Sequence, residues 1–181
     1  YFLGLQEILT YFDPWMAGVV LPSLILVGLI LIPYIDVNPK GNGYYTFMER
    51  KFAITTYSVG FLILWVALMV VGVFLRGPGW NFFGPFTEWD SHIIVPLTSI
   101  DLNLFLAQNL GLDILRNPTV AILFGLGLIG AYYSLGVLYW ILKKDKIPML
   151  QKMGVVRYGI TAFLFLTMMS LPIKMFLRLA F

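Results

Sequence analysis

The chain contains no cysteine and a single histidine, His92, in 181 residues. The first absence excludes disulfides, thiolate-held iron–sulfur clusters and haem attached through cysteine. The second means that a haem held between two histidines cannot be ligated by this chain alone. A lone histidine is also a poor metal site, because ligands come in threes or fours. His92 follows Trp89-Asp90-Ser91 and reads as a surface loop residue, with contact to a partner protein as the sharper alternative. Charge is scarce as well, at 12% of residues with a net +3. That balance says nothing for nucleic acid. No Ser-His-Asp set, metal motif or phosphate-binding loop is present.

What the chain has in excess is apolar surface: 60% of its residues are hydrophobic. A soluble domain of this size cannot bury so much, so lipid must be the solvent for much of it. A bilayer core of ~30 Å needs about 20 apolar residues in a helix. Four runs qualify, at about 15–35, 52–75, 118–142 and 155–176. The expected fold is therefore an all-α integral membrane protein, one membrane domain over 1–181, with four transmembrane helices and one long interfacial loop. Pro22 should kink the first span, and Pro172 falls near the end of the fourth. The 36–51 link is short and turn-rich, with Asn38-Pro-Lys-Gly-Asn-Gly43, and the 143–154 link is short and basic. The 76–117 link is long and aromatic. Within it Leu102, Phe105, Leu106 and Leu110 recur at helical spacing, which predicts a helix lying in the interface.

Orientation follows from lysine and arginine. Eight of the twelve lie in the 36–51 link and in 143–157, while Arg76, Arg116, Lys174 and Arg178 lie on the other side. Six of the nine acids, Glu7 and Asp13 among them, also lie on that other side. The basic links are thus expected in the cytoplasm. Both chain ends and the long link are then expected on the positive, periplasmic side of a bacterial inner membrane.

The opening fifteen residues, Tyr1-Phe-Leu-Gly-Leu-Gln-Glu-Ile-Leu-Thr-Tyr-Phe-Asp-Pro-Trp15, carry only two charges, Glu7 and Asp13. Pro14 suits the first turn of a helix, and Trp15 suits the level at which a helix enters lipid. The segment 1–14 should lie at the membrane surface before the chain dives in. A carboxylate near lipid depth costs several kcal/mol when unpaired, so Glu7 should be either functional or paired. The plainer reading of Glu7 is a wetted carboxylate or a helix cap. The chain opens without Met and without a basic leader, which reads as an interior start.

Tyr-Phe-Leu-Gly-Leu-Gln-Glu-Ile-Leu followed by a spacer and a span resembles the start of the C-terminal half of cytochrome b in quinol–cytochrome c reductases. It is similar too to subunit four of cytochrome bf complexes. Phe74-Leu-Arg-Gly-Pro-Gly-Trp80 and Glu88-Trp-Asp90 resemble bacterial menaquinol-type members. The resemblance covers roughly the first ninety residues. It implies that Tyr1 is the last residue of a Pro-Glu-Trp-Tyr motif lining a quinol-oxidising pocket, whose first three residues would precede this chain. It further implies that Tyr1, Phe2 and Leu5 bind quinone, menaquinone above all, and that Glu7 is a proton acceptor or polar wall. Quinol oxidation needs such an acceptor beside a low-dielectric pocket. The b-type haems would belong to a partner, the haem-bearing N-terminal half of cytochrome b. A Rieske iron–sulfur protein and a cytochrome c-type subunit would be the other partners. Three helices are usual in the mitochondrial-type relatives, and the fourth run here exceeds them.

Gly125-Leu-Gly-Leu-Ile-Gly130 spells a dinucleotide-binding fingerprint, but it lies in an uncharged membrane run with no strand before it. Its small residues read as a helix-packing surface. Trp15, Trp80, Tyr139, Trp140 and Tyr158 fall near predicted helix ends and read as aromatic belts. Two other function classes remain open at this point. One is a non-catalytic anchor of a larger electron-transfer assembly. The other is a transporter or channel subunit, which is disfavoured because the spans carry no midplane charge except those near the end of the last helix.

Overall fold

The computed structural model describes residues 2–41, 46–86, 88, 92 and 100–180. Among these, regular structure is helical apart from one antiparallel bridge between Arg76 and Phe82. A short helix, α1 (Phe2–Tyr11), precedes the first span, Met16–Ile35, most of which is α2 (Leu21–Ile35). The second span, Lys51–Phe74, comprises α3 (Lys51–Tyr57), a wide-turned stretch Ser58–Trp65 and α4 (Val66–Phe74). The helix expected from Leu102, Phe105, Leu106 and Leu110 is α5 (Leu102–Leu110), closed by Gly111 at φ 67°. A left-handed glycine is the usual stop after a last helical turn. The third span is α6 (Pro118–Lys143), started by the Asn117 side chain accepting from Thr119 N–H at 3.2 Å, with Pro118 in the first turn.

The protein is thus an all-α membrane protein with four helices long and apolar enough to cross a bilayer. Between 0 and 11% of each span's most apolar stretch is buried within the chain. The remaining apolar surface is left to lipid or to other subunits, because water would not tolerate it.

One local expectation is corrected. The 143–154 segment is mostly helix rather than link. The chain turns over residues 144–147, and α7 (Pro148–Ala180) starts on a proline and is broken at Gly154, with φ 73° and ψ 169°. Only glycine adopts that conformation without strain, so one residue separates a short basic helix from the fourth span. Pro172 does not stop α7. At Pro22, where a kink is expected, the helix carries a widened turn. Leu21 N–H reaches the Met16 carbonyl five residues back, and Val20 and Leu21 keep helical angles. Such bulges are a common answer to a missing i→i−4 bond.

Contacts sort the chain into two compact units. The first is Tyr1–Leu97 with Met168–Phe176. Its core is Ile8, Tyr11, Ala17, Leu21 and Leu68, flanked by Phe12, Trp65, Leu171 and Met175. The second is Thr98–Thr167 with Leu177–Phe181. There α6 is tied to α7 by tyrosine hydroxyls. Tyr132 Oη donates to the Leu166 carbonyl at 2.6 Å and Tyr158 Oη to the Gly136 carbonyl at 2.7 Å, while Tyr133 Oη pairs with Thr167 Oγ1 at 2.9 Å. In lipid, where apolar burial supplies little drive, such bonds and close packing hold helices together.

Candidate functional site

Helix α1 buries Gly4, Glu7, Ile8 and Tyr11. This i, i+3, i+4, i+7 stripe is what an amphipathic helix presents to a protein surface. It packs along α4, and two glycines permit the approach. A Cβ on Gly72 would stand 2.7 Å from the Leu3 carbonyl oxygen, and one on Gly4 3.0 Å from Met69 Cγ. The helix therefore lies with its backbone nearly against α4, and a carboxylate in its buried stripe is carried out of reach of water.

The cation that meets it comes from 69 residues later. Arg76 follows α4 directly, in a tight turn in which Gly77 N–H donates to the Asn81 carbonyl (3.0 Å) and Phe83 N–H to the Leu75 carbonyl (2.8 Å). Arg76 Nε donates to Glu7 Oε2 at 2.9 Å and Nη2 to Glu7 Oε1 at 2.6 Å, a two-pronged ion pair. Its Nη1 donates to the Trp80 carbonyl at 3.0 Å, and its guanidinium lies 5.8 Å from the Phe82 ring centre. Tyr11 Oη adds a third donor to Glu7 Oε1, at 2.7 Å. The side chains of Arg76 and Glu7 are 4% and 0% exposed.

The turn stores strain to make this possible. Trp80 is a non-glycine residue at φ 61°, beside Gly79 at φ 67°. A bulky residue in that region costs of order 1–3 kcal/mol and persists only when neighbours over-determine it. Here Trp80 Nε1 donates to Thr10 Oγ1 at 2.8 Å while its carbonyl receives Arg76. Both ends of the tryptophan are thus fixed to α1 or to its cation.

Electrostatically the cluster is closed. Burial alone would lower the Arg76 guanidinium, but the Glu7 carboxylate more than reverses this and holds it above its ordinary value. Tyr11 is pushed up to about 12, first by burial and then by the adjacent Glu7 carboxylate, with Arg76 opposing. Two charges taken out of water are stable only when geometry is good and their hydrogen bonds are satisfied. The bidentate fork with two further bonds meets that condition. The arrangement is suited to clamping α1, and through it the start of the first span, onto the end of the second.

The residues predicted from sequence are distributed as follows. Glu7 is paired and fully enclosed. Phe2 is 66% exposed and Leu5 is half-buried; with Leu9 they occupy the side of α1 away from the buried stripe. The structure therefore does not bring Phe2 and Leu5 together with Glu7. Tyr1 lies outside the described residues. His92 is exposed. Gly125, Gly127 and Gly130 sit within α6, and a Cβ on any of them meets nothing within 4 Å. At these positions α6 is uncovered by the described residues. Arg76, Tyr11, Thr10 and Trp80 are the members that sequence reading did not assemble. The available signal was the requirement that a carboxylate in an apolar run be paired, applied to the few cations on its own side of the membrane.

Among the described residues no group of three His, Cys, Asp or Glu is placed to hold a metal ion. The fold and the clamp define a class, a multi-pass α-helical membrane protein with a short helix, α1, locked against the end of its second span. No family model, curated protein or solved structure matches the chain.

Proposed function

We propose that this chain is the C-terminal-half cytochrome b subunit of a bacterial bc-type quinol–cytochrome c reductase, forming one wall of the quinol-oxidation site. The observation that carries the reading is α1. It is a surface helix seated by the Glu7–Arg76 clamp, with an apolar side of Phe2, Leu5 and Leu9 away from its buried stripe. A pocket for a quinol ring wants such a face, apolar and pre-positioned. In this reading Phe2 and Leu5, with Tyr1 ahead of them, line the pocket. Menaquinol gives one electron to a Rieske iron–sulfur protein and one to a b-type haem in the haem-bearing partner half, and its two protons leave on the positive side. A cytochrome c-type subunit takes the electrons onward. This chain supplies wall and scaffold, since its one histidine cannot hold a haem between two. The enclosure of Glu7 favours a positioning role for it over that of proton acceptor.

The orientation proposed with this function puts α1, the 76–117 link and both chain ends on the positive side, with residues 144–147 in the cytoplasm. A Lys144→Cys variant should resist an impermeant thiol reagent applied outside intact cells, and labelling there would reverse the topology. The functional test is quinol–cytochrome c turnover per assembled haem in the whole complex. Phe2→Ala with Leu5→Ala should raise KM and slow turnover several-fold while haem content stays normal. Unchanged turnover would leave the second reading, a non-catalytic anchor. The closed Glu7–Arg76–Tyr11 cluster suits that reading equally well, because it holds the helix without offering chemistry.

A further inference from the structure

The second unit contains a feature that quinol oxidation does not use. Between α6 and the Val155–Leu166 part of α7 lies an apolar cleft of about 280 Å³, lined by Tyr133, Gly136, Trp140, Tyr158, Gly159 and Phe163 among others. Its walls are aromatic and ordered. The Trp140 and Tyr158 rings sit 4.7 Å apart, and Tyr133 stacks on Phe163 at 5.4 Å. The Tyr133 and Tyr158 hydroxyls are already engaged with Thr167 and the Gly136 carbonyl. The cleft therefore presents carbon rather than hydrogen-bonding groups. From Tyr133 to Trp140 it extends roughly 10 Å along the helix at 1.5 Å per residue. A hydrocarbon chain, which has no hydrogen-bonding groups to satisfy, suits such a wall.

A second, independent feature lies one helical turn beyond Trp140 of the cleft. One turn beyond Trp140, α6 ends at Lys143, and the chain turns through Lys144, Asp145 and Lys146 before Lys152 in the next short helix. Lys144 follows Trp140 on the same helical face, its N–H donating to the Trp140 carbonyl at 2.9 Å. All four lysines are exposed. Among the described residues none of them forms an ion pair. Basic groups at this depth attract anionic headgroups.

We propose that this unit binds an anionic glycerophospholipid of the bilayer, its phosphate against Lys143, Lys144 and Lys146 and one acyl chain in the aromatic cleft. The charge patch selects the headgroup and the cleft holds the tail, so the two together bind where either alone would only attract. The site does not depend on the quinol reading.

The test uses the full chain in vesicles containing phosphatidylglycerol or phosphatidylcholine with brominated acyl chains, which quench tryptophan on contact. The difference between wild type and Trp140→Phe isolates the Trp140 signal. Phosphatidylglycerol should quench it at about tenfold lower lipid fraction than phosphatidylcholine, since each surface lysine contributes up to ~5-fold. The triple variant Lys143→Gln, Lys144→Gln, Lys146→Gln should erase that preference. Gly159→Leu should lower quenching by both lipids, because its side chain grows into open space and fills the cleft without disturbing the fold. Equal quenching by the two lipids in wild type would overturn the proposal, as would a preference that survives the triple variant or unchanged quenching in Gly159→Leu. A Trp140 that no lipid quenches would mean the cleft is closed or covered by protein, and would overturn it too.

Discussion

Neutralising Glu7 while leaving Arg76 in place is the most informative perturbation of the first unit. In Glu7→Gln the guanidinium keeps its charge, its 4% exposure and its bond to the Trp80 carbonyl, but loses the carboxylate that compensates both Nε and Nη2. Breaking a buried ion pair from one side costs about 3–5 kcal/mol, mostly through the uncompensated charge left behind. Arg76→Met exposes the reverse problem, a fully buried carboxylate whose remaining donor is Tyr11 Oη at 2.7 Å, and the same magnitude is expected. The double variant Glu7→Gln/Arg76→Met removes both charges. Replacing a buried pair by neutral groups of similar volume is often close to neutral, so the double variant should recover most of the loss. With singles of that size and a double variant close to neutral, the cycle should give a coupling energy of at least about 4 kcal/mol. The assay is reversible denaturation of the detergent-solubilised chain, followed by helicity and by Trp80 emission, since Trp80 is tied to Thr10 across the same contact. Single variants that each cost under about 1 kcal/mol, the value of an exposed pair, or that add without coupling, would refute the clamp.

The remaining predictions concern the same helix. Gly72→Leu should loosen α1 from α4, because even its Cβ would stand 2.7 Å from the Leu3 carbonyl oxygen, which is backbone and cannot rotate away; overpacking of this kind costs about 1–3 kcal/mol, and a protease site introduced into α1 should become sensitive. Tyr11 carries a pH signature. Its folded value of about 12 lies above the ordinary 10, so its contribution is fully present below pH 10 and is lost as pH rises from there through about 12. Two units correspond to about 2–3 kcal/mol. The stability of wild type should therefore fall more steeply than that of Tyr11→Phe over that window, and parallel curves would contradict the burial of the hydroxyl against Glu7.

The surface link 36–50 behaves differently, and the contrast shows why burial matters. Arg50 pairs with Asp36, holding that carboxyl below its usual range by a direct hydrogen bond, assisted by the Asn38 N–H. Asn38 Nδ2 also donates to the Glu49 carbonyl at 2.7 Å. Both side chains are about a third exposed, at 28% and 33%, so water screens the pair and it shapes the link more than it stabilises the protein. The chemistry of the two ion pairs is the same. Only the Glu7 pair is sealed beneath a helix.

Much of the fold was legible in the chain itself. The first three spans fall within a residue of the limits that hydropathy predicts, and α5 lies where Leu102, Phe105, Leu106 and Leu110 place it. Span length and apolarity are local properties, fixed by a bilayer that every residue meets independently. The need of Glu7 for a partner was legible too, because an unpaired carboxylate at lipid depth is costly wherever it falls. The identity of that partner was not. Glu7 and Arg76 are 69 residues apart, and they meet because two membrane crossings return the chain to one side and Gly72 lets α1 lie close enough for the fork to close. Nor does hydropathy register that Gly154 takes a backbone angle closed to other residues, which breaks α7 between a short helix and the fourth span, or that a widened turn precedes Pro22. The sequence by itself determined an all-α protein with four spans and a surface segment, because solvent transfer acts residue by residue. Only the tertiary structure decided which face of that segment is buried and which charge seals it, because pairing and close approach are properties of two segments at once.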